Sequence, residues 1–250
     1  MDDGGLRKVL VTGGSSGIGA ATAREFAARG CRVAVAGRDR TDLAKVAADT
    51  GGIAVPGDLA RAGAPRATVD MAAFALGGLD VVVSNAGVGW SGPFAGMDDA
   101  EIDALLDVNL RAAAHLTRAS LRYLRPDRGH LVYVGSIAGV VGVAGEAWYS
   151  ATKAGLTTLA AALRAELKDE GIGVTLVTPG VVDTPYFDRR KVPYQRHHPR
   201  PVRPELVAGL IADAVARRRD EVIVPGWLML PARLKVSFPR LYRLLESRFA

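Results

Sequence analysis

Tyr149 and Lys153 stand four residues apart in Tyr149-Ser150-Ala151-Thr152-Lys153. On a helix, residues i and i+4 share one face. An ammonium beside a phenol favours the phenolate, and should draw the tyrosine pKa down from about 10 toward neutrality. A phenol tuned in this way suits proton transfer to or from an oxygen during carbonyl reduction. Ser136 follows the apolar run His130–Val134, in Gly135-Ser136-Ile137-Ala138-Gly139. A hydroxyl at the end of a strand can hold a substrate oxygen beside Tyr149. A Tyr-x3-Lys pair arises on many helices, so this pair gains meaning only from its companions.

The first companion is Thr12-Gly13-Gly14-Ser15-Ser16-Gly17-Ile18-Gly19, between a short apolar run and a helical pattern. Gly13, Gly17 and Gly19 let the backbone turn tightly and approach a pyrophosphate, and the helix N-terminus beyond offers it free N–H groups. The spacing Gly-x3-Gly-x-Gly differs from the Gly-x-Gly-x2-Gly dinucleotide fingerprint. The second companion is the end of the next apolar run, Ala36-Gly37-Arg38. An acid there would hydrogen-bond a ribose 2′-hydroxyl and repel a 2′-phosphate. None is present, Asp39 comes one step late, and Arg38 can pair with a 2′-phosphate through charge-assisted bonds. NADP(H) is therefore expected over NAD(H).

These residues need a scaffold. The runs Lys8–Thr12, Arg32–Ala36, Ile53–Val55, Asp80–Ser84, His130–Val134, Gly173–Thr178 and Glu221–Val224 read as strands. Helical patterns cover Ile18–Arg29, Thr41–Thr50, and residues near 98–125 and 148–170. Alternating strands and helices predict βαβ units with a parallel sheet, and unbroken apolar runs predict burial on both sheet faces. Right-handed crossovers then give a three-layer, doubly wound, Rossmann-like sheet with its site at the carboxyl ends of the strands. At 250 residues the chain fits one domain. Residues 183–204, rich in Pro, Arg and His, are too long for an ordinary loop and read as a substrate lid or a disordered insertion.

Taken together, the chain resembles the short-chain dehydrogenase/reductase family from about residue 6 to 185. The resemblance rests on Thr12–Gly19, Asp58-Leu59, Asn85-Ala86-Gly87, Val108-Asn109-Leu110, Ser136, Tyr149-x3-Lys153, and Pro179-Gly180 followed by Thr184. It implies Tyr149 as acid/base, Lys153 on the nicotinamide ribose, Ser136 on the substrate carbonyl, and Asn109 holding a water in a proton relay. It further implies that Asp58 contacts adenine and that Asn85, Ala86 and Gly87 line the cofactor. Pro179, Gly180, Val182 and Thr184 would hold the carboxamide and phosphates, and the protein would form a homodimer or homotetramer. Two positions depart from the pattern. Ser84 stands where many members have Asn, and Ser16 where some NADP-preferring members carry a basic residue. The 2′-phosphate then relies on Arg38, with Ser15 and Arg40 as helpers. Reduction of a lipophilic carbonyl is the expected activity. The alternatives are the oxidative direction on an alcohol or hydroxysteroid, and a non-catalytic NADPH-binding regulator.

Composition narrows the rest. With one cysteine, Cys31, neither an intramolecular disulfide nor a cysteine zinc site is expected, and the adjacent His197 and His198 are poor chelators. No apolar run reaches a membrane span and the N-terminus does not read as a signal peptide, so a cytoplasmic protein is expected. Residues 1–185 carry 18 basic and 20 acidic side chains, whereas 186–250 carry 14 and 6. The basic excess comes without a recognition-helix or zinc-finger pattern, which argues against nucleic acid. In the lid, Tyr186, Phe187, Val192 and Tyr194 lie among Arg189, Arg190, Lys191, Arg196, His197, His198, Arg200 and Arg203. Residues 226–250 read as a basic amphipathic extension, with Leu241, Leu244, Leu245 and Phe249 at helical spacing among Arg240, Arg243 and Arg248. Such a segment packs on a subunit, closes the cleft, or rests on an anionic membrane surface.

Overall fold

The computed structural model describes residues 7–190, 192, 194 and 199–246. Its seven strands are β1 (Lys8–Thr12), β2 (Arg32–Gly37), β3 (Ile53–Pro56), β4 (Val81–Ser84), β5 (His130–Val134), β6 (Gly173–Pro179) and β7 (Glu221–Val224). They form one sheet in the order β3-β2-β1-β4-β5-β6-β7, and every pairing is parallel. The expected doubly wound sheet is therefore present, and the order reverses between β1 and β4, where such sheets open a ligand crevice.

The strands alternate their side chains between two cores, so both faces must be apolar. One face holds Leu10, Ala34, Val82, Leu131 and Tyr133. It is covered by α3 (Ala64–Leu76), α5 (Ala112–Ser120) and α7 (Ala147–Glu166), through Val69, Leu76, Leu116, Leu156 and Ala160. The other holds Val9, Val35, Val83, Val132 and Val177. It is covered by α1 (Gly17–Ala28), α2 (Arg40–Thr50) and α9 (Pro204–Ala216), through Phe26, Leu43 and Ile211. At about 25 cal/mol per Å² of apolar surface, these two cores are the main stabilising term.

Two stretches differ from the sequence reading. Helix α3 lay outside the helical patterns named above, although Pro65 in its first turn and Gly77 as its left-handed C-cap mark its ends. The pattern near 98–125 is interrupted. Helix α4 (Asp99–Leu106), opened by a capping box between Asp98 and Glu101, runs into a π-turn at Asp107–Arg111 before α5 begins.

Four further α-helices complete the described chain: α6 (Ala138–Val141), α8 (Tyr186–Arg189), and the terminal pair α10 (Met229–Ser237) and α11 (Pro239–Glu246). The C-terminal extension is thus two helices, parted at Phe238, because Pro239 cannot continue α10. Leu245 and Phe249 fall outside the described side chains, as does Arg248. Within 183–204, α8 and a bridge between Val182 and Val202 give the segment regular structure. Lys191, Arg196, His197 and His198 lie outside the described residues.

Candidate active site

The glycine loop is built by close contact. Gly13 has φ +64°, and a Cβ on it would lie 2.8 Å from Asn85 Nδ2. Gly19 lies in α1, where a Cβ would meet Gly13 O at 2.2 Å. Gly19 therefore supports the loop from behind and does not line the cavity, unlike Gly13, Ser15, Ser16, Gly17 and Ile18. Asn85 Nδ2 donates to Thr12 O (2.9 Å), and Thr12 Oγ1 donates to Val83 O while accepting from the N–H groups of Asn85 and Ala86. One threonine and one asparagine thus lash the ends of β1 and β4 together at the crevice. In the sequence Thr12 reads only as the end of a strand and the start of the loop. Its role shows only once β1 and β4 are adjacent.

Beside the loop, Arg38 is exposed on the cavity wall and has no hydrogen bond or ion pair among the described residues. The neighbouring Asp39 caps α2, accepting from Asp42 N at 2.9 Å. Asp58 and Leu59 complete this wall, with Asp58 Oδ1 accepting from Ala60 N (3.2 Å). At the other end, Ile137 N donates to Pro179 O (2.9 Å) and Gly180 N to Val224 O (2.7 Å). Val182 is buried, and Thr184 lies against Gly17, where a Cβ would come within 3.0 Å of its methyl.

The chemistry sits at the carboxyl end of β5. Ser136, Tyr149 and Lys153 line the same cavity as the glycine loop, Gly87, Ala86 and Asn85. Helix α6 lies directly on α7: a Cβ on Gly139 would meet the Lys153 carbonyl carbon at 2.6 Å. That approach brings Ser136 to Tyr149. Lys153 is buried, its Nζ donating to Val134 O (2.9 Å), and burial lowers its pKa to about 8. A Cβ on Gly87 would stand 3.5 Å from Lys153 Nζ and 3.2 Å from Asn109 Oδ1, which places these groups together. Asn109, in the π-turn, sits behind the cavity wall. Its side chain exchanges hydrogen bonds with both backbone groups of Val88 (2.8 and 3.0 Å) and donates to Thr152 Oγ1 (3.1 Å).

The expected depression of the Tyr149 pKa is not found. Burial raises it above the ordinary phenol value, and the hydroxyls of Tyr186 and Ser136 offset this only in part. Lys153 Nζ lies 5.9 Å from the Tyr149 ring centroid with its proton directed at Val134. Desolvation therefore outweighs the cation, and the protein alone keeps Tyr149 protonated.

Helix α8 closes the site. Tyr186 packs against Tyr149 with ring centroids 6.0 Å apart, its hydroxyl buried without a well-formed hydrogen bond. Arg190 pairs with Glu146, next to the start of α7, with side chains only 8% and 16% exposed. Arg189 Nη2 donates to Ser16 Oγ (2.8 Å). Glu146 was not singled out in the sequence, since a lone acid before a helix carries no signal. From the C-terminus, Lys235 Nζ donates to Val140 O and Val141 O (3.1 and 2.8 Å), fastening α10 onto α6. Leu228, Leu234 and Tyr242 then line the cavity. Residues of the extension thus line the cleft.

The cavity fits a nicotinamide dinucleotide. Glycines stand where side chains would fill the cradle, the Ser16 side chain leaves the first turn of α1 uncapped, and Arg38 offers a cation unpaired among the described residues. Among the described residues no cluster of metal-ligating side chains is present.

Comparisons agree with this geometry. The family model described as short chain dehydrogenase matches residues 7–193. The ketoacyl reductase HetN of Nostoc sp. is 34% identical over 231 residues, spanning 87% of this chain and 78% of its own. A short-chain dehydrogenase from Burkholderia cenocepacia, solved with NADP, superposes with a TM-score of 0.80 at 33% identity, covering 87% of this chain and 95% of that one. One from Sphingobium yanoikuyae, solved with NADPH, gives 0.81 at 28% identity, with 96% and 95% covered. With the family's motifs met in order around one cavity, this chain belongs to the short-chain dehydrogenase/reductase family.

Proposed function

We propose that the protein is an NADP(H)-dependent reductase of lipophilic ketones or aldehydes. The observation that carries this reading is the convergence of Ser136, Tyr149 and Lys153 beside a glycine cradle whose far wall bears an unpaired Arg38. The bound cofactor supplies the hydride. Ser136 and Tyr149 hold the carbonyl oxygen, and Tyr149, kept protonated by burial, gives it the proton. Lys153 stands next to receive charge and to hold the ribose, braced on Val134. The reverse oxidation of an alcohol uses the same groups.

The cavity, about 2280 Å³, exceeds the roughly 300–1,000 Å³ of a single-ligand pocket, which leaves room for a substrate beside a dinucleotide. Its substrate end carries apolar side chains: Val143 and Tyr186 beside Tyr149, with Leu228, Leu234 and Tyr242 from the extension. In this reading residues 183–204 act as the substrate lid and 226–250 as a second cover, with one domain throughout. Self-association as a dimer or tetramer and a cytoplasmic location belong to the same proposal. Among the described residues no helix is long and apolar enough to cross a membrane.

The test is NADPH oxidation, followed by absorbance, against carbonyl compounds graded from small aldehydes through β-ketoacyl thioesters to bulky ketones, with NADH in parallel. Turnover should favour NADPH and rise with apolar bulk. Equal use of NADH, or turnover confined to small polar aldehydes, would overturn the respective half of the proposal.

A further inference from the structure

Arg189 and Arg190 are adjacent but differently placed. Arg190 is buried against Glu146, and its charge is matched. Arg189 is exposed, lines the cavity, and has no carboxylate within ion-pair distance among the described residues. Its recorded partner is a neutral hydroxyl, Ser16 Oγ, at 2.8 Å. A hydroxyl needs no guanidinium, since any neutral donor would serve it. Ser16 is the position in the glycine loop that carries no basic side chain in this chain. The approach is fixed independently by Thr184, whose side chain packs on Gly17 just before α8 begins. A cation absent from the loop in sequence is thus delivered to it in space, from a residue 173 positions away.

We propose that Arg189 is a cofactor-binding residue: from α8 it engages the phosphate groups of the dinucleotide beside Ser16, standing in for a basic residue within the loop. This rests on the NADP(H) reading above. Arg189 and Arg38 then place on one cavity two guanidinium groups that have no ion pair among the described residues, a field suited to a phosphate-bearing ligand. Guanidinium–phosphate bonds are charge-assisted and specific in direction, so lysine should replace Arg189 only in part.

The experiment is direct binding of NADPH and of NADH without substrate, read by cofactor fluorescence, for the wild type, Arg189→Ala, Arg189→Lys and Arg38→Ala. Arg189→Ala should raise the NADPH Kd on the order of tenfold or more, and Arg189→Lys by less. Its log Kd should also depend less steeply on salt, which a merely structural loss would not produce. An equal loss for NADH would place Arg189 on the diphosphate, whereas a loss confined to NADPH would place it on the 2′-phosphate. Either supports the proposal. An unchanged NADPH Kd in Arg189→Ala, with wild-type binding intact, would overturn it and leave the cofactor reading standing. Failure of the wild type to bind NADPH would instead remove that reading itself.

Discussion

Burial reverses what spacing suggests at Tyr149. Four residues of helix bring Lys153 to the same face, and that much was legible in the sequence. The sign of the pKa shift was not, because it depends on neighbours from β5, α6 and α8 that exclude water from the phenol. A protonated, buried phenol still fits reduction, where a proton is given and not taken. Tyr149→Phe keeps the ring and its packing on Tyr186 while removing the proton. Its kcat should fall by about 10²–10⁴-fold with NADPH binding retained, as measured by fluorescence titration beside steady-state rates. Turnover near the wild-type rate would refute the acid role. The same gap separates pattern from place at Gly19 and Asn109: both stand in expected motifs, yet one braces the loop and the other anchors Val88 behind the cavity wall.

At the level of elements the strands were the most legible part, because runs such as DVVVS and HLVYV are apolar on both faces and admit no amphipathic alternative. Their boundaries shifted by a residue at most. Helix α3 was less visible, since small and polar residues (Thr68, Ala72, Ala73) share its buried face with Val69 and Leu76 and weaken the contrast. The π-turn had no signal in composition. Strand pairing also hides a titrating group. His130 in β5 reaches Thr175 Oγ1 in β6 at 2.7 Å. Thr175 gives its own proton to Arg219 O, so His130 Nε2 carries the hydrogen and Nδ1 is left bare and buried. Burial lowers its pKa from 6.5 to about 4. Between those values the unfolded chain binds a proton that the folded chain refuses, so stability falls as pH drops through that window. The loss between pH 7 and pH 5 from this residue is about 2 kcal/mol. Urea unfolding at the two pH values should show that increment in the wild type and lack it in His130→Gln. The same pH sensitivity in both proteins would show that His130 is not its source.

At the scale of the whole molecule, the C-terminal helices combine exposed charge with exposed apolar side chains. On α10 and α11, Val236, Phe238 and Leu244 are exposed at 80%, 62% and 69%, among the exposed Arg233, Arg240 and Arg243. Two copies meeting through this face would oppose like charges, whereas an anionic bilayer surface complements both its charge and its apolar side chains. We therefore expect the protein to pellet with anionic vesicles at low salt. Phe238→Ser with Leu244→Ser should weaken this several-fold while NADPH binding is kept. Protein left in the supernatant with anionic vesicles would rule the contact out. The basic excess was countable in the sequence, but which of its charges face inward and which outward was not legible there. Part of it holds α10 on the cleft through Lys235, and part faces outward.

Helix α8, only four residues long, is tied from its C-terminal end to two halves of the crevice: Arg189 to the loop after β1, Arg190 to Glu146 beside α7. A dinucleotide seated beneath it cannot leave past this side without breaking one of those ties. Entry and departure on this side would then each require α8 to release one half of the crevice.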